Sequence, residues 1–324
     1  MRKVTDTRLD ELARLTKSAK IVPAEVNITD VAYMAKEADD RSGLPAEVLG
    51  YLTTAEALLL VVRYFEDPAV PHPLQSVDPL RDIASFDMEL AFSDLGIIER
   101  RIQRLAEQLR SAKTIERPPL QAEEALLKEI KGNLENEVPM REQTFARDQE
   151  KILSGYQFLT AKPMLLVANL GEDQIERAGE IEAELTERYP QFSVLSMCAK
   201  LEMELLELSG EDASEFRSAV GATGGSVERV VTACLSSLGL VSFLTTGPDE
   251  TRAWTIARGT LAPHAAGKVH SDIEKGFIRA EVITYDDFVE CQNEHEARKR
   301  GLLRLEGKDY VVKDGDVVNF LFNV

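Results

Sequence analysis

Residues that could hold a phosphate group are the first feature of this sequence to test. A phosphate-binding loop of the form G-x-x-x-x-G-K-[ST] surrounds phosphates with backbone N–H groups and a lysine, and its hydroxyl contacts Mg²⁺. The chain has two Gly-Lys pairs, Gly267-Lys268 and Gly307-Lys308. Neither pair is followed by Ser or Thr, and neither has a glycine at the required upstream position. These 324 residues therefore contain no such loop.

Other catalytic patterns are also missing from the sequence. It contains no H-E-x-x-H, G-x-S-x-G, C-x-x-C or G-x-G-x-x-G. His264 and His270 lack a cysteine or second histidine at metal-ligand spacing, so we expect hydrogen-bonded structural residues rather than a metal site. The three cysteines are far apart and odd in number, which argues against a disulfide framework and fits a reducing compartment.

The charge balance limits the partners of the chain. A net charge of −18 opposes unspecific nucleic-acid binding, which needs cations to neutralise phosphates. Residues 239–324 hold 11 Lys and Arg against 14 Asp and Glu, so this part is the more favourable face for an RNA-rich partner. The longest apolar run, Ala57–Val62, is far shorter than the ~20 residues of a membrane span. The N-terminus is charged and lacks an apolar signal core, so we expect a cytoplasmic protein.

Strands and helices alternate along the chain. Continuous apolar runs at 57–65, 162–170 and 192–199 predict strands buried on both faces, with helices between them. Alternating Val26 and Ile28 predict a further strand that ends near Asp30. This order favours a parallel α/β sheet.

Helical patterns account for much of the remainder. Residues 9–20 predict a short helix, and Asp78 before Pro79 marks the start of a long helix over 78–111. Pro118-Pro119 interrupt the pattern, and a second helical pattern follows through Val138, so the two predict an antiparallel hairpin. From residue 240 onward, short strands and turns indicate a compact mixed β module.

Long segments of the chain resemble the YchF branch of Obg-like P-loop ATPases. The segments "RAWTI" (252–256), "EKGFIRAEVI" (274–283) and "EGKDYVVKDGDVVNFLFNV" (306–324) resemble the C-terminal TGS region of that family. The segments "VRYFEDP" (62–68) and "GYQFLTAKPMLLVANLGED" (155–173) are similar to other parts of it. The resemblance implies an incomplete P-loop-NTPase-like parallel sheet with an inserted helical hairpin, and a C-terminal β-grasp (TGS) domain.

Two loops stand at the positions that the resemblance assigns to base recognition. Asn169, Leu170 and Glu172 match the family's N-x-x-E motif, which replaces the guanine-reading N-K-x-D of GTPases and implies adenine. Cys198, Ala199 and Lys200 resemble the last nucleotide-contacting loop. An alternative remains open: these loops persist because they end strands well.

The other half of the expected site differs from the family. The family's D-x-A-G reads Asp30-Val31-Ala32-Tyr33 here, and the glycine-rich segment that follows has lost most glycines and gained carboxylates at Glu37, Asp39 and Asp40. Carboxylates repel a triphosphate. We therefore expect no metal site, for which Asp30 is the sole candidate. ATP and Mg²⁺ are implied by the resemblance alone.

The N-terminus resembles the family segment before the switch strand, so the first strand of the fold is missing from these residues. We expect either a gap in the sheet or direct pairing of "EVNIT" (25–29) with "ALLLVV" (57–62). The predicted domains are a degenerate nucleotide-binding domain (1–77 and 150–238), the hairpin insertion (78–149) and the TGS domain (239–324).

Three functions remain open at this stage. The first is a pseudo-ATPase that binds the ribosome or another translation-associated partner, with weak or no hydrolysis and no direct DNA or membrane binding. The second is an ATP-hydrolysing enzyme of the family, with ATP or GTP as substrate, whose phosphate-binding segment is missing from the gene model. The third is a TGS regulatory module that senses a nucleotide without catalysis.

Overall fold

The computed structural model describes residues 2–31, 44–208, 212–213, 215 and 226–323. Contacts divide the chain into two compact units. One unit combines Met1–Ile28 with Val227–Val324, and the other is Thr29–Ser226. None of the helices in the described ranges is long and apolar enough to cross a bilayer.

The N-terminal segment of the first unit is short and mostly extended around one helix. Its elements are β1 (Arg2–Lys3), α1 (Thr7–Thr16), β2 (Ile21–Val22) and β3 (Glu25–Val26). Helix α1 confirms the predicted helix, although it begins and ends earlier than expected. It begins after Asp6, whose carboxylate accepts a hydrogen bond from the Arg8 backbone N–H at 3.1 Å, as an N-cap does. Strand β3 is only two residues long, and Ile28 is 50% exposed, so the strand predicted to reach Asp30 is wrong.

The second unit is an α/β unit with a three-stranded parallel sheet. Its elements are α2 (Ala46–Thr54), β4 (Leu58–Arg63), α3 (Pro79–Ser111), α4 (Arg117–Glu135), α5 (Arg147–Leu153), β5 (Met164–Asn169), α6 (Ala178–Arg188), β6 (Ser193–Met197) and α7 (Ala199–Leu205). The strand order is β4-β5-β6. All three predicted strands are therefore present, and parallel pairing is confirmed.

Strand β4 lies at the edge of this sheet. Among the residues that the structure describes it pairs with β5 alone, and β3 pairs with β1 instead. Direct pairing of "EVNIT" with "ALLLVV" was therefore a wrong alternative. Because an edge strand has a neighbour on one side only, Val61 is 55% exposed. The expectation that this strand is buried on both faces is wrong for that residue.

Helix α3 is 33 residues long and belongs to two cores. Near its start, Ile83, Phe86 and Leu90 pack in the core of the α/β sheet. Further along, Ile98 and Leu105 pack against α4 in a separate core. The predicted hairpin is thereby confirmed. The two prolines at 118–119 lie in the first turn of α4, where a missing N–H costs no helical hydrogen bond.

A buried carboxylate lies on α3 between those two cores. Asp94 is fully buried and accepts hydrogen bonds from the backbone N–H groups of Leu159 and Thr160, both at 2.8 Å. The Thr160 hydroxyl donates a third bond at 2.6 Å. Burial raises the pKa of Asp94, while these hydrogen bonds and the charge of Arg141 oppose the rise. The long helix is thus fixed to the chain segment that leads into β5.

The remainder of the first unit is a mixed sheet with helices. Its elements are α8 (Ser226–Ser237), β7 (Leu240–Thr246), β8 (Thr251–Ala257), α9 (Ala262–Val269), α10 (Ser271–Lys275), β9 (Phe277–Thr284), α11 (Tyr285–Cys291), α12 (Glu294–Lys299), β10 (Arg304–Glu306) and β11 (Asp316–Phe322). The strand order is β10-β9-β11-β7-β8-β2, with β11 and β7 parallel at the centre. Ala262, Ala265 and Ala266 of α9 pack on Phe243 and its neighbours in this sheet. The α/β fold with a second, mixed sheet is confirmed.

The N-terminal segment belongs to this mixed-sheet unit, which corrects the predicted domain boundaries. Residues 1–28 were assigned to the nucleotide-binding domain, as were residues 227–238. In the structure, β2 extends the mixed sheet by parallel pairing with β8. Leu9 and Leu12 of α1 are buried in a core with Val231, Leu244 and Phe288. An amphipathic helix buries its apolar face wherever a complementary surface exists, and sequence periodicity does not name that surface.

Replacing the buried carboxylate tests whether it anchors α3. In Asp94→Asn, one oxygen acceptor becomes an amide donor that faces the N–H and O–H donors of residues 159 and 160. We expect the free energy of unfolding to fall by about 1–3 kcal/mol, the cost of leaving buried polar groups unpaired. Urea denaturation monitored by circular dichroism measures it. Glu99→Gln on the same helix is the control, because Glu99 is 57% exposed and its pair with Lys131 should contribute less than about 0.5 kcal/mol. Equal effects of the two substitutions would contradict the anchoring role.

A second substitution tests packing at the end of the mixed-sheet unit. A Cβ on Gly276 would overlap the backbone carbonyl of Asn323, whose N–H donates to the Gly276 carbonyl at 2.9 Å. Gly276→Ala should therefore lower the free energy of unfolding by about 1–3 kcal/mol through overpacking. Gly307→Ala is the control, since no heavy atom lies within 4 Å of its added Cβ. A thermal-unfolding midpoint for Gly276→Ala equal to that of the control would contradict this, because it would mean that the backbone at Asn323 shifts without loss of stability.

Candidate functional site

The two predicted base-recognition loops meet at the carboxyl ends of β5 and β6. Asn169 is the last residue of β5, and Ala199 is the first residue of α7, which follows β6. The Asn169 side-chain oxygen accepts a hydrogen bond from the Ala199 backbone N–H at 3.0 Å. Open α/β sheets bind ligands at the carboxyl ends of their strands, so this is the expected place for a site.

Glu172 and Lys200 form an ion pair at the surface of the same loops. The Lys200 Nζ lies 2.8 Å from Glu172 Oε2, and both side chains are more than half exposed. The hydrogen bond that Lys200 donates to Glu172 raises the pKa of Lys200. Because the pair is solvated, it adds little stability. In this arrangement the Glu172 carboxylate already has a cationic partner.

Leu170 and Cys198 are the two predicted site residues whose side chains point into the protein. The Leu170 side chain is 2% exposed and packs in the α/β core, and its N–H donates to the Met197 carbonyl at 2.8 Å. Cys198 is 6% exposed and packs on Leu201 and Leu205. The side chains of these two residues are therefore not available to a ligand at the surface.

Gln174 is a site residue that the sequence reasoning missed. Its side-chain oxygen accepts from the Gly171 N–H at 2.9 Å, and its amide donates to the Tyr64 carbonyl at 3.1 Å. The loop after β5 is thereby fixed to the end of β4. Gly171 precedes a short 3₁₀ helix, Glu172–Arg177, and Gln174 is its third residue. A Gln at that position typically accepts a hydrogen bond from the N–H of the residue before the helix, so the sequence contained this signal.

Arg63, the last residue of β4, is also held in place. Its guanidinium donates to the carbonyls of Phe65 at 2.9 Å and Val70 at 2.7 Å. It also lies over the Phe65 ring, 4.5 Å from the centroid. These contacts commit the cation to its own loop, which makes it a structural residue of this edge.

The phosphate and metal half of the expected site has no counterpart among the described residues. Asp30 is exposed, and no group of three His, Cys, Asp or Glu side chains in the described ranges could hold a metal ion. The segment with Tyr33, Glu37, Asp39 and Asp40 lies outside the described residues. His264 hydrogen-bonds Glu274 at 2.8 Å, and His270 accepts from the Asp272 N–H at 3.2 Å, so both are engaged as structural residues.

The described residues bring three polar side chains together at the carboxyl edge of the parallel sheet. The two loops present an amide, a carboxylate and an ammonium group at one edge, which can hydrogen-bond the rim of a planar base. Phosphoryl transfer depends on a cation and backbone amides that hold the phosphates. Among the described residues, the cations near this edge are already engaged, since Lys200 pairs with Glu172 and Arg63 donates to carbonyls of its own loop.

Comparisons with known proteins agree along nearly the whole chain. The family model YchF-GTPase_C, described as a protein of unknown function (DUF933), matches residues 240–323. The ribosome-binding ATPase YchF of Bacillus subtilis (strain 168) is 37% identical over an alignment of 325 positions, which covers 99% of this chain and 88% of that protein. Obg-like ATPase 1 of Homo sapiens is 34% identical, over 99% of this chain and 82% of its own length.

A solved structure extends the similarity to the fold. The YchF GTPase of Schizosaccharomyces pombe superposes with a TM-score of 0.87 at 29% identity, and the match covers 98% of this chain and 86% of that one. Identity above 30% to relatives that the chain covers by more than four fifths goes well beyond a shared fold. The chain belongs to the YchF family.

Proposed function

We propose that the chain is a ribosome-associated binding protein of the YchF type whose 324 residues hydrolyse nucleotide weakly or not at all. The observation that carries the proposal is that one half of the expected site has candidate residues, whereas the phosphate-binding half has none among the described residues. The proposal is supported by the contact between the two loops that the resemblance assigns to base recognition, at the ends of β5 and β6. The sequence supplies no G-x-x-x-x-G-K-[ST] to hold the phosphates.

The kind of partner is supported by the relatives. The Bacillus subtilis protein is named a ribosome-binding ATPase, and it matches this chain over 99% of its length. Binding to a ribosome needs surfaces, while hydrolysis needs a phosphate-binding loop, and those two requirements are separable. A chain that matches 88% of the length of such a relative can therefore keep the first property without that loop.

The retention of the base-side loops has a structural explanation that does not require ATP. An N–H group in the first turn of a helix has no partner within the helix. The Asn169 side chain satisfies the one on Ala199 and so ties the end of β5 to the start of α7. Glu172 and Lys200 make only an exposed contact across the same loops.

The structural role of Asn169 can be separated from nucleotide binding. We expect Asn169→Ala to lower the free energy of unfolding by about 1 kcal/mol without any nucleotide present, because the Ala199 N–H loses its partner. Glu172→Gln should change it by less than about 0.5 kcal/mol. Urea denaturation of the nucleotide-free proteins is the measurement. If Asn169→Ala is as stable as the unsubstituted chain, the bridge does not explain why this loop persists.

Hydrolysis and ribosome binding can be measured on the same preparation. We expect phosphate release from Mg²⁺-ATP to equal a buffer blank, and we expect the chain to pellet with purified ribosomes through a sucrose cushion equally with and without ATP. The proposed weak or absent hydrolysis is contradicted if phosphate release scales with protein concentration and disappears in Asn169→Ala. The proposed binding to the ribosome is contradicted if the chain stays in the supernatant at low salt.

A further inference from the structure

The tip of the helical hairpin carries a charge opposite to that of the chain. We define the tip as residues 100–117, the end of α3, the connecting loop and the first residue of α4. It contains six Lys and Arg residues and two Glu residues, in a chain with a net charge of −18. The preceding part of α3, residues 79–99, has one cation and five carboxylates. The charge therefore changes sign along one helix.

Most of these tip cations have no carboxylate partner. Arg101 is the exception, since it binds Glu123 through two hydrogen bonds of 2.8 Å. Within the part of the chain that the structure describes, no ion pair includes the other five, which are exposed: Arg100, Arg104, Arg110, Lys113 and Arg117. The Arg117 guanidinium donates to the Ala112 carbonyl at 3.2 Å, which leaves its charge unbalanced.

Helix stability explains only part of this cluster. Arg110 lies in the last turn of α3 and Lys113 lies just beyond its end, where cations favour the helix dipole. Arg100 and Arg104 lie further back and are spaced i,i+4, an arrangement that destabilises a helix by a few tenths of a kcal/mol when the charges are alike. The tip therefore carries more unbalanced positive charge than its own fold requires. That surplus is available to an anionic partner.

The chemistry of the tip selects a phosphate backbone over exposed bases. Single-stranded nucleic acids bind to aromatic side chains on which their bases stack. Residues 100–117 contain no Phe, Tyr or Trp. Double-helical RNA is instead recognised through its shape, its phosphates and its 2′-hydroxyl groups, which cations on a rigid arm can reach.

We propose that the hairpin tip, residues 100–117, is a docking site for the phosphate backbone of double-helical RNA. This inference rests on the proposed function for the choice of RNA, because the ribosome is the partner proposed for this chain. The tip attracts phosphates, whereas residues 79–99 have a single cation, Arg81, which already pairs with Asp82, so the RNA helix meets the end of the arm. The proposal places the contact on the second unit, whereas the sequence pointed to residues 239–324.

A charge-neutralising variant tests the proposal. The tip variant combines Arg104→Gln, Arg110→Gln and Lys113→Gln. The control variant combines Arg147→Gln, Lys151→Gln and Arg188→Gln, which are exposed cations of the same unit without an ion pair among the described residues. Both variants lose three positive charges. Circular dichroism and thermal melting should be unchanged in both, because the substitutions are at the surface.

Binding of a 20-base-pair RNA duplex is measured by fluorescence anisotropy at several salt concentrations. We expect the tip variant to bind at least about tenfold more weakly at low salt, and its log–log salt slope to be shallower by about 2 to 3, since each lost phosphate contact removes about one unit. The control variant should lie within about twofold of the unsubstituted chain. Equal binding by the tip variant overturns the proposal. Competition by polyglutamate as effective as by RNA also overturns it and assigns the tip to an acidic protein.

Ribosome pelleting separates this inference from the proposed function. If the unsubstituted chain and the tip variant pellet equally, the inference fails and the proposed function stands. If the unsubstituted chain does not pellet but its duplex binding depends on the tip, the proposed function fails and the inference stands. We expect the unsubstituted chain to pellet and the tip variant to be depleted from the pellet.

Discussion

The buried carboxylate of Asp94 is the constraint on which the second unit depends. A carboxylate without solvent is costly unless its oxygens are hydrogen-bonded, and here three donors from residues 159 and 160 meet it. Those donors belong to the chain just before β5, the central strand of the parallel sheet. Because α3 passes from the sheet core to the hairpin core at this point, one polar contact sets the direction of the whole arm. The charged tip and the strand-end loops are both placed with respect to the same strand.

The loops at the carboxyl edge of the sheet are held mainly by amide side chains. Asn169 links β5 to α7, and Gln174 links the loop after β5 to the end of β4. Neutral amides donate and accept at once, so each one ties two backbone segments together. This edge is ordered before any ligand arrives. A site whose polar groups already satisfy each other gains less from a ligand than one that waits with unpaired groups.

Sequence reasoning predicted those parts of the fold that local patterns determine. The start signal at Asp78-Pro79 and the helical patterns on either side of Pro118-Pro119 predicted the hairpin, and the runs at 162–170 and 192–199 predicted β5 and β6. The partner of residues 1–28 could not be predicted, because the apolar face of α1 fits any complementary core. Nor did local patterns show that Val61 lies at an edge, since that depends on which strands are neighbours. The candidate loops were predicted from the resemblance. The ion pair of Glu172 with Lys200 and the burial of Leu170 could not be predicted, because they depend on how the loops pack in three dimensions.

The unpaired edge that β4 has among the described residues affects how readily the protein aggregates at high concentration. A strand without a neighbour on one side can pair with an extended segment of another molecule, and such pairing is a first step of aggregation. The surplus of carboxylates that makes the chain anionic keeps molecules apart by mutual repulsion. That colloidal protection fades in acid, as carboxylates lose their charge near pH ~4. The acidity of this chain thus serves its solubility as much as its choice of partners.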